Sequence, residues 1–305
     1  MDTKWRVLDL TGYKGYISYE RGRLKIGERT VPLAEVDFIL LGQKCSWGYG
    51  LVAGLERFDV AAAVCDWRGV PISALYHWSS NTRVFARHEA QADLSLPRAK
   101  NAWKQIIKAK LRGQANTLDA MHRPHAEQIR TLARTVKSGD PTNIEGQGAR
   151  VYWSSYLPGR GFRRDQVSDD VVNGMLNYGY TILRGRVLTR VISAGLSPTL
   201  SLFHRNRSNA FALVDDLMEP FRPAVDYMVY RLLQGGSSEL GTEEKTALVS
   251  VLAEKVSDNQ DFTVRSVIEN FCSEFALYVE GKRDTLKVPI WKLSMSEPDA
   301  LKEGE

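Results

Sequence analysis

The sequence predicts an α+β protein in which a small β-rich, sandwich-like N-terminal domain precedes a larger all-helical one. Short alternating apolar and polar runs dominate up to about residue 90, and from Pro97 onward the apolar period becomes helical. The chain of 305 residues has room for about two domains, and its 43% hydrophobic content is enough for real cores. The expected boundaries are 1–90 for the β-rich part and 91–288 for the helical part, with a mobile tail over 289–305.

In chain order, GYISYERGRLKIG reads as a hairpin turning through Glu20, Arg21 and Gly22. Strand-like segments follow at RTVPL, VDFILLG, DVAAAVCDW and PISALYHW, with a short helix near Gly48 to Phe58 between them. Helices are then expected over 97–118, 122–137, about 142–157, 170–195, 209–234, 242–256 and 263–281. The helix over 170–195 is apolar on most sides, but Asn173, Asn177, Tyr180 and Arg184 recur on it as one polar stripe. Such a stripe either bonds neighbouring helices or lines a substrate channel.

Composition narrows the partners. The net charge is +5 with a pI near 9.0, and arginines concentrate in one central block between Arg150 and Arg231. Guanidinium groups fork onto two oxygens at once, so such a block favours phosphate and makes nucleic acid the leading partner class. Cys45, Cys65 and Cys272 are widely spaced and fit neither a zinc site nor a disulfide framework; Cys65, inside VAAAVCDW, reads as core. The N-terminus reads as lacking a signal peptide, and no apolar run is long enough to span a bilayer, so a reducing cytoplasm is the expected location.

The most informative stretch is LSLFHRNRSNAFALVDDLMEPFRP, from Leu200 to Pro223. At about 100° per residue, Ala210, Leu213, Val214, Leu217 and Phe221 form an apolar stripe. Asp215, Asp216 and Glu219 crowd the other side, where they repel one another unless a cation is present. Asn206, Ser208 and Asn209 are natural caps for a helix starting near Ala210, and the entering loop delivers His204 close to its flank. Pro220 cannot donate to the carbonyl of Asp216, so a break is expected where Glu219 projects. An imidazole with an Asp and a Glu suits Mg²⁺ or Mn²⁺ better than Zn²⁺. The alternative is a solvated acidic face neutralised by Arg205, Arg207 and Arg222.

A further acid lies upstream in DPTNIEGQGARVYWSSYL, where Pro141 can occupy a first helical turn and Glu145, Ala149, Tyr152 and Tyr156 share a face. Gly146 and Gly148 each cost about 1 kcal/mol relative to alanine in a helix, which suggests close approach of another helix or of a ligand backbone. Glu145 could equally be a surface acid favoured by the helix dipole. Trp103, Trp153 and Tyr178 read as core aromatics rather than base-stacking platforms.

With NIEGQGARVYW, LNYGYTIL and GLSPTLSLFHRNRSNAFALVDDLMEPFRPAVD in this order behind a β-rich segment, the chain resembles the CRISPR-associated spacer-acquisition integrases. These are the larger of the two proteins shared by most CRISPR adaptation systems, and the form accompanying single-effector, type II systems is the most similar. The specific motifs span about Asn143 to Asp226; the sequence departs from the usual EGxxA wording in a second glycine before Ala149.

The resemblance implies a metal-dependent DNA integrase and endonuclease with Mg²⁺ or Mn²⁺ held by Glu145, His204 and Glu219, and with Asp216 as a further, assisting acid. It implies homodimers formed through the β-rich domain, two of which clamp a dimer of a small adaptation partner protein, with one active site acting per dimer. The substrates implied are double-stranded DNA with 3′-hydroxyl ends and CRISPR repeat DNA, joined by direct transesterification without ATP. His204 could be a ligand or a proton donor to the leaving oxygen. Arg150, Arg163, Arg164, Arg184, Arg186, Arg205 and Arg207 are the candidates for the phosphate path. Two other readings use the same residues: a non-catalytic DNA-binding or architectural protein, and a general branched-DNA nuclease of repair.

Overall fold

The computed structural model describes residues 6–67, 69, 71–76, 81–158, 162–168, 170–204, 208–256 and 262–293. The N-terminal part holds β1 (Arg6–Leu10), β2 (Gly15–Glu20), β3 (Arg23–Ile26), β4 (Arg29–Pro32), β5 (Val36–Leu41), β6 (Cys45–Trp47), α1 (Tyr49–Arg57), β7 (Ala61–Cys65) and β8 (Pro71–Leu75). The helical part comprises α2 (Val84–Ala92), α3 (Leu96–Ala120), α4 (Ala126–Thr135), α5 (Ile144–Tyr156), α6 (Val171–Ser193), α7 (Ala212–Met218), α8 (Arg222–Gln234), α9 (Thr242–Ser250) and α10 (Val264–Val279). The expected order of a β-rich part followed by a helical part is therefore observed, and residue 90 falls within α2.

Two four-stranded sheets form the β part, ordered β1-β5-β7-β8 and β4-β3-β2-β6. The hairpin between β2 and β3 turns where the sequence places it: Glu20 pairs with Arg23, while Arg21 and Gly22 take φ of 49° and 84°. Positive φ at both central residues matches the right-handed twist of the flanking strands. Every residue of β5 is buried, as a strand covered on both faces requires. Ile39 and Leu41 join Leu10, Ile17, Leu24 and Leu33 in the core between the sheets, whereas Phe38 and Leu40 belong to the core shared with the helices.

The second face of the β1-β5-β7-β8 sheet packs on α6. Gly185 is what allows it: a Cβ there would lie 2.3 Å from the Phe38 ring. One residue along, Arg186 is fully buried and its guanidinium meets buried Asp37 of β5 at 2.5 Å. Glu269 of α10 adds a second carboxylate at 3.2 Å. Arg186 is thus an internal tie between sheet and helix, which removes it from the expected phosphate path.

Three elements were not expected from the sequence. β1 pairs in parallel with β5, β6 has three residues paired in parallel with β2, and α2 has Gln91, a polar residue, as its buried residue. Three expected helices are shorter than their patterns, the 242–256 one because α9 ends at Ser250 and a 3₁₀ turn follows over Val251–Ala253. The 122–137 helix begins only at Ala126, so His122 and His125 lie in the preceding turn with φ of 51° and 73°. The 209–234 helix is divided into α7, a 3₁₀ turn over Glu219–Phe221 and α8, with the break at Pro220. Among the described residues, no helix is long and apolar enough to cross a membrane.

The Gly185 contact gives a direct test of the sheet-to-helix packing. Gly185→Ala is expected to destabilise the protein by about 1–3 kcal/mol, since the added methyl must move a buried ring. Urea unfolding measures it, and an unchanged midpoint would contradict the packing described.

Candidate active site

Four segments converge on one cluster of charges. α3 contributes Lys110, α5 contributes Glu145, the loop before α7 contributes His204, and the helix break contributes Glu219 with Arg222 at the start of α8. α5 can approach α3 closely because Gly148 lacks a side chain: a Cβ there would lie 2.2 Å from Leu111 Cδ2. The expectation that these glycines mark a close helix approach is met at Gly148. At Gly146, whose backbone N–H is bonded by Asn143 Oδ1 at 3.0 Å, the neighbour is the helix cap. Asp140 also caps this end, accepting from the N–H groups of Ile144 and Glu145 at 2.8 and 2.9 Å. The helix accordingly starts at Ile144, and Pro141 precedes it.

The Lys110 ammonium lies 2.6 Å from Glu145 Oε1 and 2.6 Å from Glu219 Oε2. Arg222 Nε lies 3.0 Å from the other Glu219 oxygen, Oε1. Burial alone pushes the Glu219 carboxyl up, but Arg222 and Lys110 outweigh it and hold its pKa below the ordinary value. The same attraction acts in reverse on Lys110: burial disfavours its charge, and Glu219 followed by Glu145 more than restores it. The two acids share one cation. Glu219 is 4% exposed, so this is a buried charge cluster rather than a solvated acidic face.

Asp216 has a different task from the one expected of it. Its carboxylate is fully buried and accepts the N–H groups of Leu202, Phe203 and His204 at 2.7, 3.0 and 3.4 Å. It also meets His204 Nδ1 at 2.5 Å. With its oxygens engaged in this way, Asp216 holds the loop and the imidazole and is not placed as a metal ligand. That contact raises the His204 pKa against the opposing effect of burial, with Glu219 and Glu145 adding to the rise. Any ligand or phosphate must be met through Nε2. Trp103 sets the position of the loop from below: its buried ring stacks on Phe203 at 4.5 Å and meets His204 edge-on at 5.3 Å.

A second buried network lies alongside. The Asp226 carboxylate accepts from Tyr180 Oη and, at 2.9 Å, from Tyr152 Oη, while Tyr156 Oη donates to the Asp226 carbonyl at 2.6 Å. Arg222 lies over the Tyr180 ring at 4.6 Å, so the network braces the guanidinium that pairs with Glu219. Burial pushes the Asp226 carboxyl up from 3.8 to about 6 against the lowering effect of the two hydroxyls. The polar stripe of α6 is explained in the same way. Asn173 and Asn177 accept from Arg164 at 2.7 and 2.6 Å, Tyr180 bonds Asp226, and Arg184 pairs with Asp215 at 2.8 Å. The stripe bonds neighbours and does not line a channel.

The candidate arginines therefore separate. Arg150 and Arg163 are exposed, Arg164 and Arg184 are partly engaged as above, and Arg186 is internal. Arg205 and Arg207, with the expected cap Asn206, lie outside the described residues. α7 starts at Ala212 after Phe211, whose N–H is bonded by Asn209 Oδ1 at 3.0 Å.

Among the described residues, no group of three or more His, Cys, Asp or Glu side chains is gathered closely enough to hold a metal ion. Glu145 and Glu219 do converge on a single cation, the Lys110 ammonium. The donor set at that point, two carboxylates with an imidazole nearby, suits a hard divalent ion. Arg222, expected from the sequence to neutralise the acidic face, does pair with Glu219, whereas Lys110 was not expected. A signal was present for the lysine: it stands in the buried stripe Trp103, Ile107, Lys110, Gln114 of α3.

The family model described as CRISPR associated protein Cas1 matches residues 8–256. The chain belongs to the Cas1 family. It is 32% identical over 295 residues to a CRISPR-associated endonuclease Cas1 of Neisseria meningitidis serogroup C, covering 93% of this chain and 96% of that protein. A Pyrobaculum aerophilum CRISPR-associated endonuclease Cas1 is 30% identical, covering 76% and 84%. Among solved structures, a casposase bound to integration product superposes with a TM-score of 0.77 at 22% identity over 97% of both chains. A CAS1 protein from Thermotoga maritima gives 0.75 at 15% identity, covering 92% of this chain and 99% of that one. These structural likenesses carry the fold of the Cas1 family onto this chain.

The raised Asp226 pKa fixes the sign of a pH effect. Between about pH 4 and 6 the folded state keeps a proton that the unfolded state has released, so this group's contribution to stability falls as pH rises through that window. The stability of the wild type relative to Asp226→Asn is expected to drop by on the order of 2–3 kcal/mol from pH 4 to 7. Urea denaturation of both proteins across that range measures it, and parallel profiles would contradict the assignment.

Proposed function

We propose that this protein is a metal-dependent DNA integrase and endonuclease of CRISPR adaptation. It would join the 3′-hydroxyl ends of captured double-stranded DNA to CRISPR repeat DNA. The observation that carries this reading is the convergence of Glu145 and Glu219 on one cation position beside His204, in a chain of the Cas1 family. The relatives named as CRISPR-associated endonucleases support the nuclease chemistry, and a neighbour of the same fold is a Cas6-RT-Cas1–Cas2 complex. By that analogy the working form is a homodimer, paired two to one with a dimer of the small adaptation partner, in the prokaryotic cytoplasm.

In this reading Glu145 and Glu219, with Nε2 of His204 as the third donor, are the residues that would hold Mg²⁺ or Mn²⁺. When bound, the ion polarises a phosphoryl oxygen and offsets the charge that develops during in-line attack. The remaining work falls to the protein's own groups. The attacking 3′-oxygen forms one phosphodiester as the target's 3′-oxygen leaves another, so the bond count is unchanged and no ATP is needed. Asp216 favours the protonated form of His204, so the alternative to ligation is that Nε2 donates its proton to the leaving oxygen; one nitrogen cannot do both at once. Ligation through Nε2 requires that proton to depart first. Arg222 keeps one Glu219 oxygen occupied and so fixes the direction of the other. Exposed Arg150 and Arg163 are the residues best placed to contact the DNA backbone.

Strand transfer tests the proposal. Fragment DNA, a repeat-bearing plasmid, the small partner and Mg²⁺ or Mn²⁺ should yield joined product with the wild type. Glu145→Ala and His204→Ala are each expected to lower joining by about 100-fold or more, the scale of one transition-state contact. Full joining by either variant would refute the site. Cleavage of branched DNA that ignores the partner would favour a repair nuclease.

A further inference from the structure

The Glu145–Glu219 pair is already occupied by a cation, and that cation belongs to the protein. We propose that Lys110 is an internal counter-cation that closes the site in the metal-free protein and must leave before a divalent ion can enter. The proposal rests on the metal-site reading above.

Three observations carry it. First, a single ammonium lies 2.6 Å from a carboxylate oxygen on each side, Glu145 Oε1 and Glu219 Oε2. An ion ligated by both carboxylates would have to occupy the same gap with oxygens at about 2.0–2.1 Å for Mg²⁺. A unit charge and a divalent charge cannot share that space. Second, the lysine side chain is only 12% exposed and its charge, which burial disfavours, is restored by Glu219 and Glu145, so the ammonium belongs to the cluster rather than to solvent. Third, the two oxygens of Glu219 have different partners. Arg222 faces Oε1 at 3.0 Å and Lys110 faces Oε2. Withdrawal of Lys110 therefore frees one defined oxygen on Glu219 and one on Glu145, with Arg222 still bracing the former.

The lysine is suited to such movement. Its backbone is fixed on α3, where Leu111 packs into the notch left by Gly148 of α5, while its four-carbon stem can swing without moving either helix. Its side chain is 12% exposed, so a path outward exists. The expected consequence is competition: the free protein binds metal more weakly than its carboxylates would allow.

The test is Mn²⁺ binding to the full-length, DNA-free protein, followed by the electron paramagnetic resonance signal of free Mn²⁺. Lys110→Met is expected to tighten binding by about tenfold or more. Glu145→Ala, placed in the same background, should abolish the gain. Equal or weaker binding by Lys110→Met would overturn the proposal and identify the lysine as a structural ion-pair partner. Absence of Mn²⁺ binding by both the wild type and Lys110→Met would instead overturn the metal site itself. A measurement on the wild type alone guards against a variant that fails to fold. Acylation of Lys110, read by mass spectrometry, should rise at saturating Mn²⁺, and an unchanged or reduced extent would overturn the proposal.

Discussion

Two carboxylates, buried Glu219 and half-buried Glu145, lie within reach of one ammonium group, and four segments of the helical part meet around them. Removing one member of a buried ion pair costs about 3–5 kcal/mol, because the remaining charge is left without a partner. Glu145 and Glu219 come from segments far apart in sequence, so Lys110 ties α5 to the break between α7 and α8 through α3. Arg222 adds a second cation to Glu219, and Tyr180 with Asp226 braces Arg222 from behind. The cluster is therefore preorganised by three layers of partners rather than by the acids alone. Its charge balance, with two cations on two carboxylates, is what makes the burial tolerable.

The loop carrying His204 follows a similar logic with different chemistry. Asp216 gathers three backbone N–H groups and the imidazole on one carboxylate, and the Trp103–Phe203 stack supports the loop from the α3 side. Position and protonation of the histidine are thus set together. The short spacing between Asp216 and Glu219 lets one turn serve both purposes: the first acid points at the loop and the second, displaced by the break at Pro220, points at Lys110.

Much of this arrangement was legible in the sequence where the signal is local. Pro220 marks the break, Gly148 marks the close helix approach, and Arg21-Gly22 marks the hairpin, since each depends on the backbone of its immediate neighbours. Long-range partners were harder to read. β1 pairs in parallel with a strand more than twenty residues away and has no local turn to announce it, and β6 is too short to alternate. α2 has little apolar face; it is held by Gln91 on the Ser197 backbone and by Arg87 on Glu280. The same limit applied to charges. Arg186 and Arg184 look alike in sequence, yet one is buried against Asp37 and the other pairs with Asp215 at the surface side of α6. Lys110 is the clearest case, because nothing near it in sequence reveals which acids it will meet.

The central claim is that one cation position lies between Glu145 and Glu219, held by Lys110 until a metal takes its place. A crystal structure of the protein soaked with Mn²⁺, with anomalous data, tests this most directly. The account predicts an anomalous peak bridging the Glu145 and Glu219 carboxylates, with the Lys110 ammonium withdrawn from both. A peak elsewhere, with Lys110 still seated between the two acids, would contradict it.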